Sequence, residues 1–266
     1  MTAKSQTGFS PRLLGNHAYS GTLSTLLYNW PIFCGVFLFG LLALLLGVFA
    51  PGWWQRILLL SGGVAWLLLL NILVAAFIVY DWGNQREYDR LADLGNLAEA
   101  NMIIDITAGK LRGTRGLLKR LKQGHYFVID IYDAPRMPDN ALRRAREMEP
   151  PLEAGRRIYR RSGRPDSLPI PHNWANAVVC SFSLHELQEA SDRQALFAEF
   201  ARILKPGGKL LIAEHGRDWQ NLLVFGPGVI SFRTPESWQQ HITQAGFTIQ
   251  QHERWRGLVH LWLAER

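Results

Sequence analysis

The segment 177–213, AVVCSFSLHELQEASDRQALFAEFARILKPGGKLLIA, decides the fold. Ala177 to Ser181 is a short apolar run, as expected of a strand buried on both faces. Ser191 and Gln194 then stand at capping-box spacing, and Leu196, Phe197, Phe200, Ile203 and Leu204 recur at helical intervals. Pro206-Gly207-Gly208 stops that helix, and Lys209 to Ala213 is again a strand. Strand, helix and strand with short joints make a crossover unit of a parallel sheet.

The same alternation extends both ways. Upstream, Met102 to Ile106 and Tyr126 to Asp130 are strands, and Arg157 to Arg160 is a weaker one. Thr114 to Gln123 is a basic helix with Leu117, Leu118 and Leu121 on one face, and Thr114 is its expected N-cap. Asn140 to Glu149 is a further helix. Downstream, Thr234-Pro235 opens a helix that Gly246 closes. Thr248 to Glu253 and Leu258 to Ala264 then form an antiparallel edge. The expected fold is α/β: a Rossmann-like, doubly wound, mainly parallel sheet. Ligands of such sheets bind beyond the carboxyl ends of the strands. That places Asp105 to Leu111, Asp130 and Ile131, Ser181 to His185, and Glu214 and His215 at the expected site.

The first eighty residues follow a different pattern. No charge lies between Arg12 and Arg56, nor between Arg56 and Asp81. Ile32 to Ala50 and Ile57 to Tyr80 are each long enough, as helices, to cross a hydrocarbon layer roughly 30 Å thick. Pro51-Gly52 separates them, and the adjacent Trp53 and Trp54 suit a membrane–water interface, as Trp30 and Trp82 would on the opposite side. The expected layout is an N-terminal cytoplasmic segment (1–30), a transmembrane hairpin (31–81) and an α/β domain (82–266). One Arg marks the connecting loop. Lys4, Arg12, Arg86 and Arg90 mark the other side, so both ends should face the cytoplasm, at the cytoplasmic (inner) membrane.

The net charge is +7, and Lys110 to Arg164 carries fifteen Lys or Arg against six Asp or Glu. Such a stretch fits a solvated face, nucleic acid or an anionic bilayer surface. The hairpin favours the bilayer, and no nucleic-acid partner is expected. The two cysteines, Cys34 and Cys180, offer neither metal-binding spacing nor a disulfide framework.

Leu168-Pro169-Ile170-Pro171, Ala177 to Leu187 with its Leu184-His185-Glu186, and Arg202 to Gly208 together resemble the class I S-adenosylmethionine-dependent methyltransferases. The closest likeness is to those that methylate quinone precursors and lipids. The resemblance covers roughly residues 85 to 264. It implies S-adenosylmethionine as cofactor, with Asp105 as the acid ending the first strand. The loop glycines fall at Thr107, Gly109 and Leu111, so only Gly109 remains. Lys110 and Arg112 beside it would meet either the cofactor carboxylate or water and lipid headgroups. Asp130 matches the acid that holds the ribose, with Ile131 after it. An adenine-contacting acid is expected near Arg164; either Asp166 supplies it or the contact is absent. Ser181 ends the fourth strand at the site.

Methyl transfer rests mainly on alignment, and a base is needed only if the acceptor loses a proton. His185 is the candidate base, with a helix-start role as its alternative. Glu214 and His215 offer a carboxylate–imidazole pair, and Tyr88 lies in a segment that caps the cofactor in the family. The apolar connection from Trp219 to Phe232 is expected to cover the acceptor and to meet the bilayer, unless it is ordinary core. The function expected is methylation of a lipophilic acceptor. The alternatives are other chemistry with the same cofactor, or a non-catalytic binding module.

Overall fold

The computed structural model describes residues 20–121, 123–152 and 155–266. Lys4 and Arg12, which bear on the expected orientation, lie outside the described residues. The chain opens with α1 (Ser20–Tyr28), α2 (Trp30–Phe49) and α3 (Trp53–Ala76). A π-turn (Phe77–Asp81) prolongs α3. After α4 (Glu87–Gly95) come β1 (Met102–Thr107), α5 (Arg112–Arg120), β2 (His125–Asp130), α6 (Asn140–Met148) and β3 (Ile158–Ser162). The second half runs β4 (Ala175–Ser181), α7 (Ala190–Ile203), β5 (Leu204–His215), α8 (Trp219–Phe225), α9 (Pro235–Gln244), β6 (Thr248–Trp255) and β7 (Val259–Glu265).

The seven strands form one sheet in the order β3-β2-β1-β4-β5-β7-β6. β1 pairs in parallel with β2 and β4, and β7 is antiparallel to both β5 and β6. The order reverses between β1 and β4, which opens a crevice at their carboxyl ends. Side chains alternate across each strand. Ile104 and Ile106 therefore join the core under α7 and α9, and Ile103 joins the core under α4 and α5.

Two expected caps do not form. α5 begins at Arg112, and Thr114, inside it, donates its hydroxyl to Asp105 over 2.5 Å. The helix starts two residues before Thr114, so its hydroxyl is not at the cap position and instead satisfies the buried carboxyl. α7 begins at Ala190, which places Ser191 inside the first turn rather than at the cap. By contrast, the Thr234 hydroxyl accepts from Ser237 N, as the sequence suggests.

α2 and the rod Trp53–Asp81 are each long and apolar enough to cross a membrane. Only 17% and 11% of their most apolar stretches are buried, whereas a core helix would bury most of its surface. α1 lies against the far end of this pair. A Cβ on Gly21 would fall 2.2 Å from Tyr80 Cβ, so only glycine permits the approach. The buried Asp81 carboxylate accepts from Gly21 N (2.9 Å), Thr22 N (2.7 Å) and Thr22 Oγ1 (2.6 Å), capping α1 from sixty residues away. Arg144 Nε holds the other end through Tyr28 O. Asp81→Ala should weaken this docking by ~1–2 kcal/mol. Limited proteolysis of the detergent-solubilised protein should then cut within α1 roughly 5–30 times faster. An unchanged cleavage rate would show that the cap does not hold α1.

Candidate active site

The loop after β1 departs from glycine yet makes a tight turn. Thr107 Oγ1 donates to Lys110 O and accepts from Gly109 N, both over 2.9 Å. The threonine thus closes the turn itself. Gly109 has φ +100°, a conformation that favours glycine. Leu111 turns inward and is buried beside Leu117. Asp105 is also internal: it accepts from Thr114 and from Tyr126 OH (2.8 Å) and does not line the cavity described below. Burial pushes its carboxyl up to about 6, against the opposing effect of those two hydrogen bonds.

Asp130 stands at the end of β2, with Ile131 buried after it and bonded through its N–H to Thr107 O. Both Asp130 oxygens are taken by Arg146, from Nη1 at 2.8 Å and Nη2 at 2.9 Å. The guanidinium also donates to Ala108 O and lies 3.9 Å from the centre of the Tyr132 ring. A Cβ on Gly109 would meet this arginine at 2.0 Å. Asp166 is not brought to the same place. It is exposed, bonded twice to Arg164 at 2.9 Å in the turn that joins Arg164 to Ser167.

A cavity of about 280 Å³ lies over the carboxyl ends of β1, β4 and β5. Lys110 bounds it from the first loop, Arg112 and Gly113 from the start of α5, and Ser181, Phe182, His185 and Glu186 from the end of β4 and the turn after it. Ile72, Ala75, Ala76, Val79 and Tyr80 line it from the α3 rod. α1 adds Ser24, Thr25 and Tyr28, and the region around α8 adds Val224, Phe225 and Phe232. Burial pushes the Tyr28 phenol up to about 12.

The expected Glu214–His215 pair is absent, because neighbours on a strand point to opposite faces. Glu214, fully buried, pairs instead with His185: Oε2 lies 2.7 Å from Nδ1, and Oε1 accepts from Leu184 N at 2.7 Å. His185 Nε2 lies 3.3 Å from Glu186 Oε1, which in turn pairs with Lys110 Nζ at 2.7 Å. Burial pulls His185 down, but the two carboxylates outweigh it and hold it up at about 9. Burial alone would raise Glu186, yet Lys110 and His185 carry it well below the usual carboxylate range. His215 behaves in the opposite way. Its Nδ1 donates to Leu258 O (3.0 Å), so Nε2 accepts from Tyr80 OH (2.8 Å). Burial, with no carboxylate partner, takes it down to about 3.

Tyr88 packs over Gly116 of α5 and does not line the cavity. Tyr80, which the sequence reading passes over, does line it, with the Arg112 guanidinium 4.4 Å from its ring centre. Its only sequence signal is its position, at the end of an apolar run immediately before a charge. Arg146 carried no signal beyond its place in a basic helix.

Residues 103–208 match the family model described as a methyltransferase domain. The ubiquinone/menaquinone biosynthesis C-methyltransferase UbiE of Chromobacterium violaceum is 29% identical over 124 residues, 46% of each chain. The enzyme of the same name from Neisseria meningitidis serogroup C is 27% identical over 128 residues, 48% of each. The chain thus spans about half the length of these relatives. Among solved structures, a SAM-dependent methyltransferase from Aquifex aeolicus shares the fold, with a TM-score of 0.53 at 15% identity. That match covers 71% of this chain and 91% of the other. The matched segment, the relatives and the shared fold agree with the sheet order and the crevice at its switch point: residues 103–208 resemble a methyltransferase domain, and the sheet has the fold of a solved S-adenosylmethionine-dependent methyltransferase.

Proposed function

We propose that the chain transfers a methyl group from S-adenosylmethionine to a lipophilic acceptor, an isoprenoid quinone or a lipid, at a membrane spanned by α2 and α3. The sheet domain then faces the cytoplasm, as the charge asymmetry around the hairpin suggests. One observation carries this reading. A single cavity has Lys110, His185 and Glu186 at one side, and Ile72, Ala75, Ala76 and Val79 of an apolar helix at the other. An acceptor with a polar head and an apolar tail matches both sides. The quinone class is suggested by the relatives' names.

The residues present fit the cofactor. Asp130 already holds two parallel donors on its two oxygens, and a ribose diol offers the same pair. Gly109 and the turn closed by Thr107 stand next to it, with Ser181 at the neighbouring strand end. When bound, S-adenosylmethionine supplies an electrophilic methyl group on a sulfonium. Arg146 must turn aside to admit it. Calorimetry in detergent should therefore show tighter cofactor binding for Arg146→Ala than for the natural chain. In that background Asp130→Ala should weaken binding by roughly 10- to 100-fold, the equivalent of ~1.5–3 kcal/mol for a hydrogen bond to a charged group. If neither the natural chain nor Arg146→Ala binds at millimolar cofactor, the enzyme reading fails and a binding or assembly module replaces it.

The protein's own part is to position the acceptor and to hold its surroundings in fixed protonation states. His185 is a cation at neutral pH, so it orders Glu186 and Glu214 rather than acting as a free base. His215 is neutral, and its acceptor nitrogen is occupied by Tyr80. A raised His185 pKa has a definite consequence for stability. The contribution is complete below the unfolded value of about 6.5 and is lost as pH rises through about 9. Melting temperatures of the natural chain should show a fall between pH 7 and 9.5 that His185→Gln lacks. Parallel pH profiles for the two would remove the charge assigned to His185.

A further inference from the structure

We propose that α8 and the turn that follows it, Gly226–Ser231, lie in the membrane itself, just inside its surface, so that the acceptor enters the cavity sideways from the acyl layer. This rests on the reading that α2 and α3 span the bilayer.

The hairpin supplies a depth scale. Gly40 faces Trp66, where a Cβ would lie 2.2 Å from the indole, and Gly47 faces Leu59, at 2.9 Å. Phe37 stacks on the same Trp66 with ring centres 5.2 Å apart. Counting from these contacts puts Asn71 of α3 opposite the stretch from Ile32 to Gly35 of α2. At a rise of about 1.5 Å per residue, Asn71 is then roughly 3–8 Å inside the level of Trp30, where α2 begins. Of the two tryptophans that suit the interface on that side, Trp30 begins α2, whereas Trp82 follows the part of the rod bonded to the sheet domain.

α8 is fastened at that depth. Asn71 Nδ2 donates to Leu223 O over 2.7 Å. The bond satisfies an amide that would otherwise stand open in an apolar helix, and it fixes the height of α8 against α3. The outward side of the segment is apolar: Trp219, Leu222, Leu223 and Ile230 are 66%, 52%, 62% and 67% exposed. It carries no charge from Trp219 to Phe232. This face continues the exposed apolar surface of α3 at Leu70 and Val74. An uncharged apolar segment at this depth matches the roughly 5–10 Å at which interfacial helices settle.

The inward side completes the route. Val224 and Phe225 line the cavity opposite Ile72 and Ala76, so its lower end is walled by the same two elements that meet lipid on their outer faces. Ile72 lies opposite the first turns of α2, below the level of Trp30. An apolar tail can therefore stay among acyl chains while the polar head moves up to Lys110 and His185, and the tail need never cross water.

Site-directed spin labelling tests the depth directly. The full chain, with Cys34→Ala, carries a nitroxide at Leu223→Cys or, separately, at Ile230→Cys; Cys180 is buried in β4. Each variant is reconstituted in vesicles of phosphatidylcholine with phosphatidylglycerol. Leu42→Cys marks the hairpin interior, and Gln240→Cys marks the aqueous surface. The expected result is an oxygen-to-nickel-chelate accessibility ratio several-fold above that of Gln240→Cys at both test positions, and below that of Leu42→Cys. Ratios equal to that of Gln240→Cys, with Leu42→Cys buried in lipid, would overturn the inference and leave the spanning hairpin intact. A water-exposed Leu42→Cys would overturn both.

Discussion

Glu214 has no exposed surface, and the rest of the site is arranged around that fact. A carboxylate at the end of a buried central strand is tolerable only if it is paired and hydrogen-bonded. Two backbone N–H groups and the His185 imidazole meet that demand. The pairing charges His185, which then requires a second carboxylate, and Glu186 supplies it. Lys110 balances Glu186. One desolvated strand residue thus propagates through three further side chains to the loop beyond β1. It ties the two halves of the sheet together at the point where their order reverses.

Much of this was legible from the sequence, and the parts that were not share a cause. Apolar runs placed most strands within one or two residues; β5 is the exception, starting at Leu204 and taking Pro206-Gly207-Gly208 into the strand rather than leaving them as the stop after the helix. The hairpin was equally plain. α1 was not: Ser20 to Tyr28 is a nine-residue segment with only Leu23, Leu26 and Leu27 at helical spacing, and Asp81, sixty residues on, caps it. Arg146 and Tyr80 were missed for the same reason, as each owes its place to a partner in another element. The two-residue period of a strand separates Glu214 from His215, and each finds its partner in another element. Capping fared worst. Thr114 and Ser191 are both good caps in isolation, yet helix starts are set by where the preceding strand and loop deliver the chain.

The loop beyond β1 shows how a departure from glycine can be absorbed. Glycines in such a turn supply unusual backbone angles and room for a ligand. Here Gly109 alone supplies the angle, and Thr107 replaces lost flexibility with a hydrogen bond across the turn. Room is the remaining problem, and it is Arg146, not Thr107 or Leu111, that occupies it. Leu111 points into the core and takes nothing from the ligand side. A flexible side chain can move where a backbone cannot, so the site is narrowed reversibly.

The α3 rod is not interchangeable with another apolar helix. Three consecutive turns of it are committed to the domain it carries. Asn71 holds α8, Ile78 O accepts from Arg256, and Tyr80 donates to His215. Asp81, next along, caps α1 over the cavity. These bonds fix the height and rotation of the rod against the sheet, and the cavity walls follow from that register. A rotation of one residue, about 100° in a helix, would take Tyr80 from His215 and Ala76 from the cavity together. The apolar segment therefore has two specifications at once. Its outer faces need only be apolar, which any Leu-rich sequence satisfies. Its inner face must present Asn71, Ile72, Ala75, Ala76, Val79 and Tyr80 at set positions, which makes it a wall of the site.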